Sequence, residues 1–223
     1  MFIKLVCGIG RVCNDDNRSV NMLGTGFFVD SKNYLVAVPR HIVGDSDNGL
    51  CVIQSSIQSL NDYQDTTNRQ ITYWYAKIYA TDKFRDLTIL QLQIKNPDLV
   101  DIPIFSDTII GSFDDINVGE KVCILGYPHC VEGRKVLTYQ EGIIGAKVIL
   151  ECSSIKSKHA VVNIQARPGQ SGSLIYSERL NKIIGMLVGT YALSNEISIA
   201  GINPRELNQT THSISAEYIK NML

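Results

Sequence analysis

No stretch of this 223-residue chain reaches the roughly 18–20 apolar residues of a membrane-spanning helix; its longest apolar runs are strand-sized. An excess of charge of one sign is also missing. The 21 Lys and Arg against 22 Asp and Glu leave a formal charge of −1, and no basic run is interleaved with aromatics, so neither nucleic acid nor a membrane surface is an expected partner. Met1–Gly10 has no basic leader before its apolar residues, and acid follows at Asp15-Asp16, so it reads as a first strand and not as a signal peptide. The six cysteines, Cys7, Cys13, Cys51, Cys123, Cys130 and Cys152, contain no Cys-x-x-Cys pair. That disfavours a zinc site, and the reading is free, partly buried thiols with no metal and no cofactor. Solenoid repeats and low-complexity tracts are absent as well. What remains is an ordinary globular balance, 44% hydrophobic and 19% charged, in a chain long enough to bury a substantial core.

Short β-branched and aromatic runs separated by turn signals dominate: Phe27–Val29, Tyr34–Val38, Leu50–Ile53, Ile71–Tyr79 and Leu87–Ile94 in the first half. Lys121–Leu125, Ile143–Leu150, Ala160–Ile164, Ser173–Tyr176 and Ile183–Val188 follow in the second. This spacing indicates an all-β chain built as barrels or sandwiches, not βαβ units. The expected division is a first barrel at 1–108, a polar connector at 109–117 and a second barrel at 118–213. In the tail 214–223, Ser215 stands before apolar residues at helical spacing, which predicts a closing helix. Ser55–Gln70 is the least strand-like segment and reads as an exposed loop, long enough to bind a partner or gate a site.

One pattern carries chemistry. Gly169-Gln170-Ser171-Gly172-Ser173 holds a serine between glycines, His41 lies in the run Leu35–Val43, and Asp86 opens Asp86-Leu87-Thr88-Ile89-Leu90. The chain order is therefore His, Asp, Ser, with separations of 45 and 85 residues that place each residue on a different loop. A free serine hydroxyl is a poor nucleophile near neutral pH and needs a base as it attacks. His41 is the candidate base, and Asp86 the candidate to hold its tautomer and stabilise the imidazolium. Taken singly, the three would be a turn serine, a strand-end histidine and a turn or cap aspartate. Their joint occurrence in order favours catalysis, whereas His129, His159 and His212 have no such context.

These residues resemble those of the trypsin-like (chymotrypsin-fold) serine peptidases, most closely the disulfide-free bacterial branch that includes the HtrA proteases. Five segments carry the likeness: Gly24-Thr25-Gly26-Phe27-Phe28-Val29, the His41 run, the Asp86 strand, Val118 to Pro128, and Gly169 to Ser173. Arg40, Gln170 and Ser173 depart from the family pattern. The resemblance implies two six-stranded antiparallel Greek-key barrels with a short C-terminal helix. It assigns the oxyanion hole to the backbone N–H groups of Gly169 and Ser171, with Gln170 adjacent, and substrate binding to Gln165 and the strand Met186-Leu187-Val188-Gly189-Thr190.

Secreted relatives carry disulfides beside the histidine and serine loops. Here Ile42 follows His41 and no cysteine follows Cys152, which favours a reducing compartment. Digestive relatives have an aspartate before the serine that pairs with a freshly cut N-terminus. Gln170 stands there, so control is expected through loops or partners. Gln165, six residues before Ser171, is not an acid, so trypsin-type preference for Lys or Arg is not expected, although Glu196 could enter from the far wall.

The resulting expectation is a cytoplasmic bacterial serine endopeptidase acting through an acyl-enzyme on few protein or peptide targets, with room for a regulatory protein partner. A monomer is favoured, because Met1–Gly10 offers only Phe2 where HtrA relatives trimerise through an N-terminal aromatic segment. Two other readings stay open: a catalytically silent trypsin-fold module that binds peptides, and a viral chymotrypsin-like processing protease.

Overall fold

The structure, a computed structural model, describes residues 2–13, 19–95, 105, 107–190 and 211–223. Twelve strands close into two antiparallel barrels of six. The first is built from β1 (Val6–Val12), β2 (Val20–Asp30), β3 (Leu35–Pro39), β4 (Leu50–Ile53), β5 (Tyr73–Asp82) and β6 (Leu87–Leu92). The second comprises β7 (Lys121–Gly126), β8 (Thr138–Cys152), β9 (Ile155–Val162), β10 (Leu174–Ser177), β11 (Lys182–Thr190) and β12 (Thr211–Ser215). Around the first barrel the strands run β1-β2-β3-β6-β5-β4, and around the second β10-β11-β12-β9-β8-β7.

Side-chain alternation explains how the second barrel is filled. Successive strand residues face opposite sides. On β7, Val122 and Ile124 enter the interior of the second barrel with Phe113, Ile144, Val162 and Ile184. Their neighbours Cys123 and Leu125 join the larger cluster that fills the first barrel and the seam between the two. The barrels therefore share a core along that seam, where the candidate site lies.

The structure differs from the sequence reading at several ends. Phe2–Leu5 is a 3-10 turn, and the first strand starts at Val6. β8 and β9 run longer than their apolar cores, because one face of that hairpin is open to solvent and accepts polar residues. Thr211–Ser215 is a strand that apolar patterning does not announce. Its inward residues Thr211 and Ser213 are hydroxyls that are fully buried by donating to the Ile164 and Ala160 carbonyls at 3.0 and 2.9 Å. Ile214 and Ser215 thus belong to β12, and the closing helix is only Glu217–Lys220, preceded by Ala216. Ser215 does not cap it, since its hydroxyl accepts from the Phe113 N–H at 3.1 Å.

Candidate active site

His41 lies in a single helical turn, Arg40–Val43, that follows β3 directly. Pro39 ends the strand, and the Arg40 N–H donates to the Asp86 carbonyl at 2.9 Å, joining the start of the turn to the loop before β6. Asp86 is in that loop and not on the strand. Its φ of 56° is in the left-handed region, which Asp tolerates better than most residues. This bend brings its carboxylate to His41 twice: Oδ1 accepts the His41 backbone N–H at 2.8 Å, and Oδ2 meets Nδ1 at 2.5 Å. The second contact fixes the ring so that Nε2 is its free nitrogen. Arg40 is turned away from this pair and grips Asp45 through two contacts of 2.6 Å.

Ser171 sits between two glycines whose φ is +90°, and both are needed. A Cβ on Gly172 would lie 1.8 Å from the Thr25 carbonyl oxygen and 3.0 Å from Pro39 Cδ. The serine turn is thus pressed against β2 and against the residue that leads into the His41 turn. A Cβ on Gly24 would lie 2.6 Å from Ile42 Cδ1 and 3.2 Å from the Ser171 carbonyl oxygen, which puts the two turns on either side of that glycine.

Thr25, one residue on, binds the serine turn at two points and Tyr127 at a third. Its N–H donates to the Ser171 carbonyl at 3.0 Å, its hydroxyl donates to the Gly169 carbonyl at 2.9 Å, and the same oxygen accepts the Tyr127 N–H at 3.0 Å. Sequence reasoning placed Thr25 in a family-like strand without giving it this function.

Within the turn, the N–H groups of Gln170, Gly172 and Ser173 are spent on the carbonyls of Arg167, Leu187 and Gln170. Among the described residues, those of Gly169 and Ser171 have no acceptor. The Pro168 carbonyl accepts the His129 N–H at 2.6 Å. Because a trans peptide points its N–H opposite its C=O, this anchor aims the Gly169 N–H away from His129. The Ser171 hydroxyl donates to the Val188 carbonyl at 3.0 Å, and no hydrogen bond joins it to His41 among the described residues. Catalytic contacts in a substrate-free enzyme are often unformed and tighten on engagement.

Of the departures from the family pattern, Gln170 is accommodated, whereas the Ser173 hydroxyl is buried with no hydrogen-bond partner among the described residues. Gln170 is buried, with Oε1 accepting the Arg167 N–H at 2.7 Å and Nε2 donating to Gln140 Oε1 at 2.6 Å. Ser173 packs against Gly126, where a Cβ would meet the Ser173 hydroxyl at 1.8 Å.

The trypsin-like peptidase domain family model matches residues 24–186, well over half of the chain. The chain belongs to this family. It is a serine endopeptidase of the trypsin-like fold. The active form of the Rv3671c protease from M. tuberculosis superposes with a TM-score of 0.68 at 16% identity, covering 100% of this chain and 80% of that one. The apo MamO protease domain from Magnetospirillum magneticum gives 0.68 at 13% identity, covering 100% and 97%. The HtrA-type protease AlgW with a decapeptide gives 0.64 at 15% identity, covering 99% and 63%. No curated protein sequence matches the chain.

In the peptidase, the residues expected to bind substrate divide by burial. Met186 and Leu187 are fully buried, and Leu187 spends its N–H on Ser173 and its carbonyl on Gly172. They support the strand and offer substrate no side chain. The β11–β12 register shifts between Leu187 and Gly189, a bulge at Val188 that turns its carbonyl to Ser171. Beyond it Gly189 and Thr190 pair with His212 and Thr211. Gln165 accepts from Arg167 Nη2 at 2.9 Å. Glu196 lies outside the described residues. All six cysteines are free, and burial raises the Cys130 thiol to about 11. Among the described residues no helix is long and apolar enough to cross a membrane.

Proposed function

We propose that the peptidase hydrolyses peptide bonds through Ser171 as nucleophile, His41 as general base and Asp86 as the group that orients and stabilises the imidazole. The observation that carries this reading is the His41–Asp86 pair, joined by two hydrogen bonds, beside a serine turn that keeps the N–H groups of Gly169 and Ser171 unspent. Ser171 first exchanges its acceptor, from the Val188 carbonyl to His41 Nε2, which leaves Val188 free to accept an N–H of an extended substrate. Oγ then attacks the scissile carbonyl as its proton passes to Nε2. The Gly169 and Ser171 N–H groups stabilise the resulting oxyanion, each such donor being worth about 2.7–4 kcal/mol. Collapse breaks the C–N bond, and the Nε2 proton leaves with the amine. Water, deprotonated by His41, then attacks the acyl-enzyme and releases Ser171 and the new carboxylate.

Substrate backbone would add alongside Val188–Thr190 by β-augmentation, with Gln165 near the base of the pocket. Free thiols and the absence of a disulfide framework support a reducing, cytoplasmic setting, and the likeness to proteases of M. tuberculosis and Magnetospirillum magneticum supports a bacterial one. A regulated enzyme with few protein targets, divided at 1–108, 109–117, 118–213 and 214–223 and acting as a monomer, fits the same reading.

Labelling with a fluorophosphonate probe tests it. The expected result is one adduct at Ser171, found by intact mass and site mapping and lost in Ser171→Ala. A folded, unlabelled protein that still binds peptides would overturn the reading in favour of a silent binding module.

A further inference from the structure

The Gly169 N–H is only as well placed as the segment beneath it. That segment is 127–137, which joins β7 to β8 and holds no strand, only the 3-10 turn Cys130–Glu132. It packs directly under the serine turn: a Cβ on Gly169 would lie 2.7 Å from both the Tyr127 carbonyl oxygen and Cys130 Sγ. Within it His129, itself left-handed at φ 60°, fixes the Pro168 carbonyl and hence the direction of the Gly169 N–H. A segment of turns is a weak brace unless something else holds it.

Segment 54–72 of the first barrel holds it at its far end. The sequence reads 55–70 as an exposed loop, and it has no helix or strand, yet it is tied to the other barrel. The Gln64 carboxamide makes the pair of bonds that a neighbouring strand would make. Nε2 donates to the Leu137 carbonyl at 2.8 Å, and Oε1 accepts the Leu137 N–H at 2.8 Å. Leu137 is buried, so without Gln64 two backbone groups lose their partners together.

We propose that Gln64 is a positioning residue for the oxyanion hole: it clamps segment 127–137 across the barrel seam and, through His129, holds the Gly169 N–H in place. This inference rests on the proposed roles of Ser171 and Gly169. It gives the 54–72 loop the task that a cut N-terminus performs in digestive relatives, whose pairing position is here filled by Gln170 bonded to Gln140. A ligand or partner that lifts Gln64 from Leu137 would switch the hole off without touching the triad.

The test compares wild type, Gln64→Ala, Gln64→Glu and Tyr63→Ala. Gln64→Glu turns a carboxylate onto the Leu137 carbonyl and loses the donor. Tyr63 is the adjacent residue, fully exposed, and serves as the control. Both Gln64 variants should lower kcat roughly ten- to a hundredfold on a peptide that wild type cleaves, within the limit set by losing one oxyanion donor. KM should change little, and fluorophosphonate labelling should slow in proportion. Amide hydrogen exchange should quicken in peptides spanning 127–137 and 165–172, while Tyr63→Ala matches wild type in every readout. Wild-type kcat and exchange in Gln64→Ala, or a loss confined to KM, would overturn the proposal. Absence of labelling in wild type would instead sink the triad reading, and the exchange comparison would still decide whether Gln64 clamps the segment.

Discussion

Replacing Thr25 by Val removes one oxygen from the seam at which both barrels meet the serine turn. Thr25 is fully buried, and its hydroxyl accepts from the Tyr127 N–H at 3.0 Å while donating to the Gly169 carbonyl at 2.9 Å. Valine has nearly the same shape, so no cavity forms and only the hydrogen bonding changes. The Tyr127 N–H is then left without an acceptor, at a cost of about 1–3 kcal/mol, and the Gly169 carbonyl loses a donor worth about 1 kcal/mol. The sum is about 2–4 kcal/mol, which for a chain of this length lowers Tm by roughly 5–15 °C. Thr25→Ser keeps both bonds and gives up one methyl group, about 1 kcal/mol. Urea unfolding followed by tryptophan fluorescence should therefore rank wild type above Thr25→Ser and Thr25→Ser above Thr25→Val, with the m value unchanged. Equal midpoints for Thr25→Val and wild type, or Thr25→Ser falling below Thr25→Val, would refute the claim that the hydroxyl holds the seam.

Asp86→Asn should lower kcat by roughly 10⁴ without changing the melting profile, because asparagine also tolerates a φ of 56° and can still accept the His41 N–H, yet it no longer holds Nδ1–H; a loss below tenfold in a peptide-cleavage assay would count against the role of Asp86. His159 yields a prediction about acid. Burial, and then the nearby His212, push its imidazole down to about 4 from the usual 6.5. The folded protein keeps it neutral where the unfolded chain takes up a proton, so stability is unaffected above about pH 6.5, falls as pH drops from there to about 4, and levels below. The partly buried ring makes this worth about 1 kcal/mol. His159→Gln should flatten Tm against pH across that window, and parallel curves for the two proteins would reject the assignment.

What the sequence displayed and what it concealed follow from how each contact is encoded. Val36, Ile89 and Ile124 announce strands because burial of alternate or continuous apolar residues leaves a pattern in the chain itself. His41, Asp86 and Ser171 were legible because each stands in a local motif, and the glycines flanking Ser171 signal the backbone that the turn requires. Thr211 and Ser213 were not, since a hydroxyl that donates to a carbonyl across the barrel behaves as an inward-facing residue while reading as a surface one. The same holds for the residues that brace the site. Thr25, His129 and Gln64 act on Gly169, Pro168 and Leu137 through one or two hydrogen bonds to main-chain atoms 144, 39 and 73 positions away. A main-chain partner has no side-chain identity to leave in the sequence, so such contacts show neither periodicity nor a complementary residue. In this two-barrel peptidase the bias has a direction: the candidate catalytic residues are the ones a sequence reveals, and the residues proposed to brace the oxyanion donors are the ones it hides.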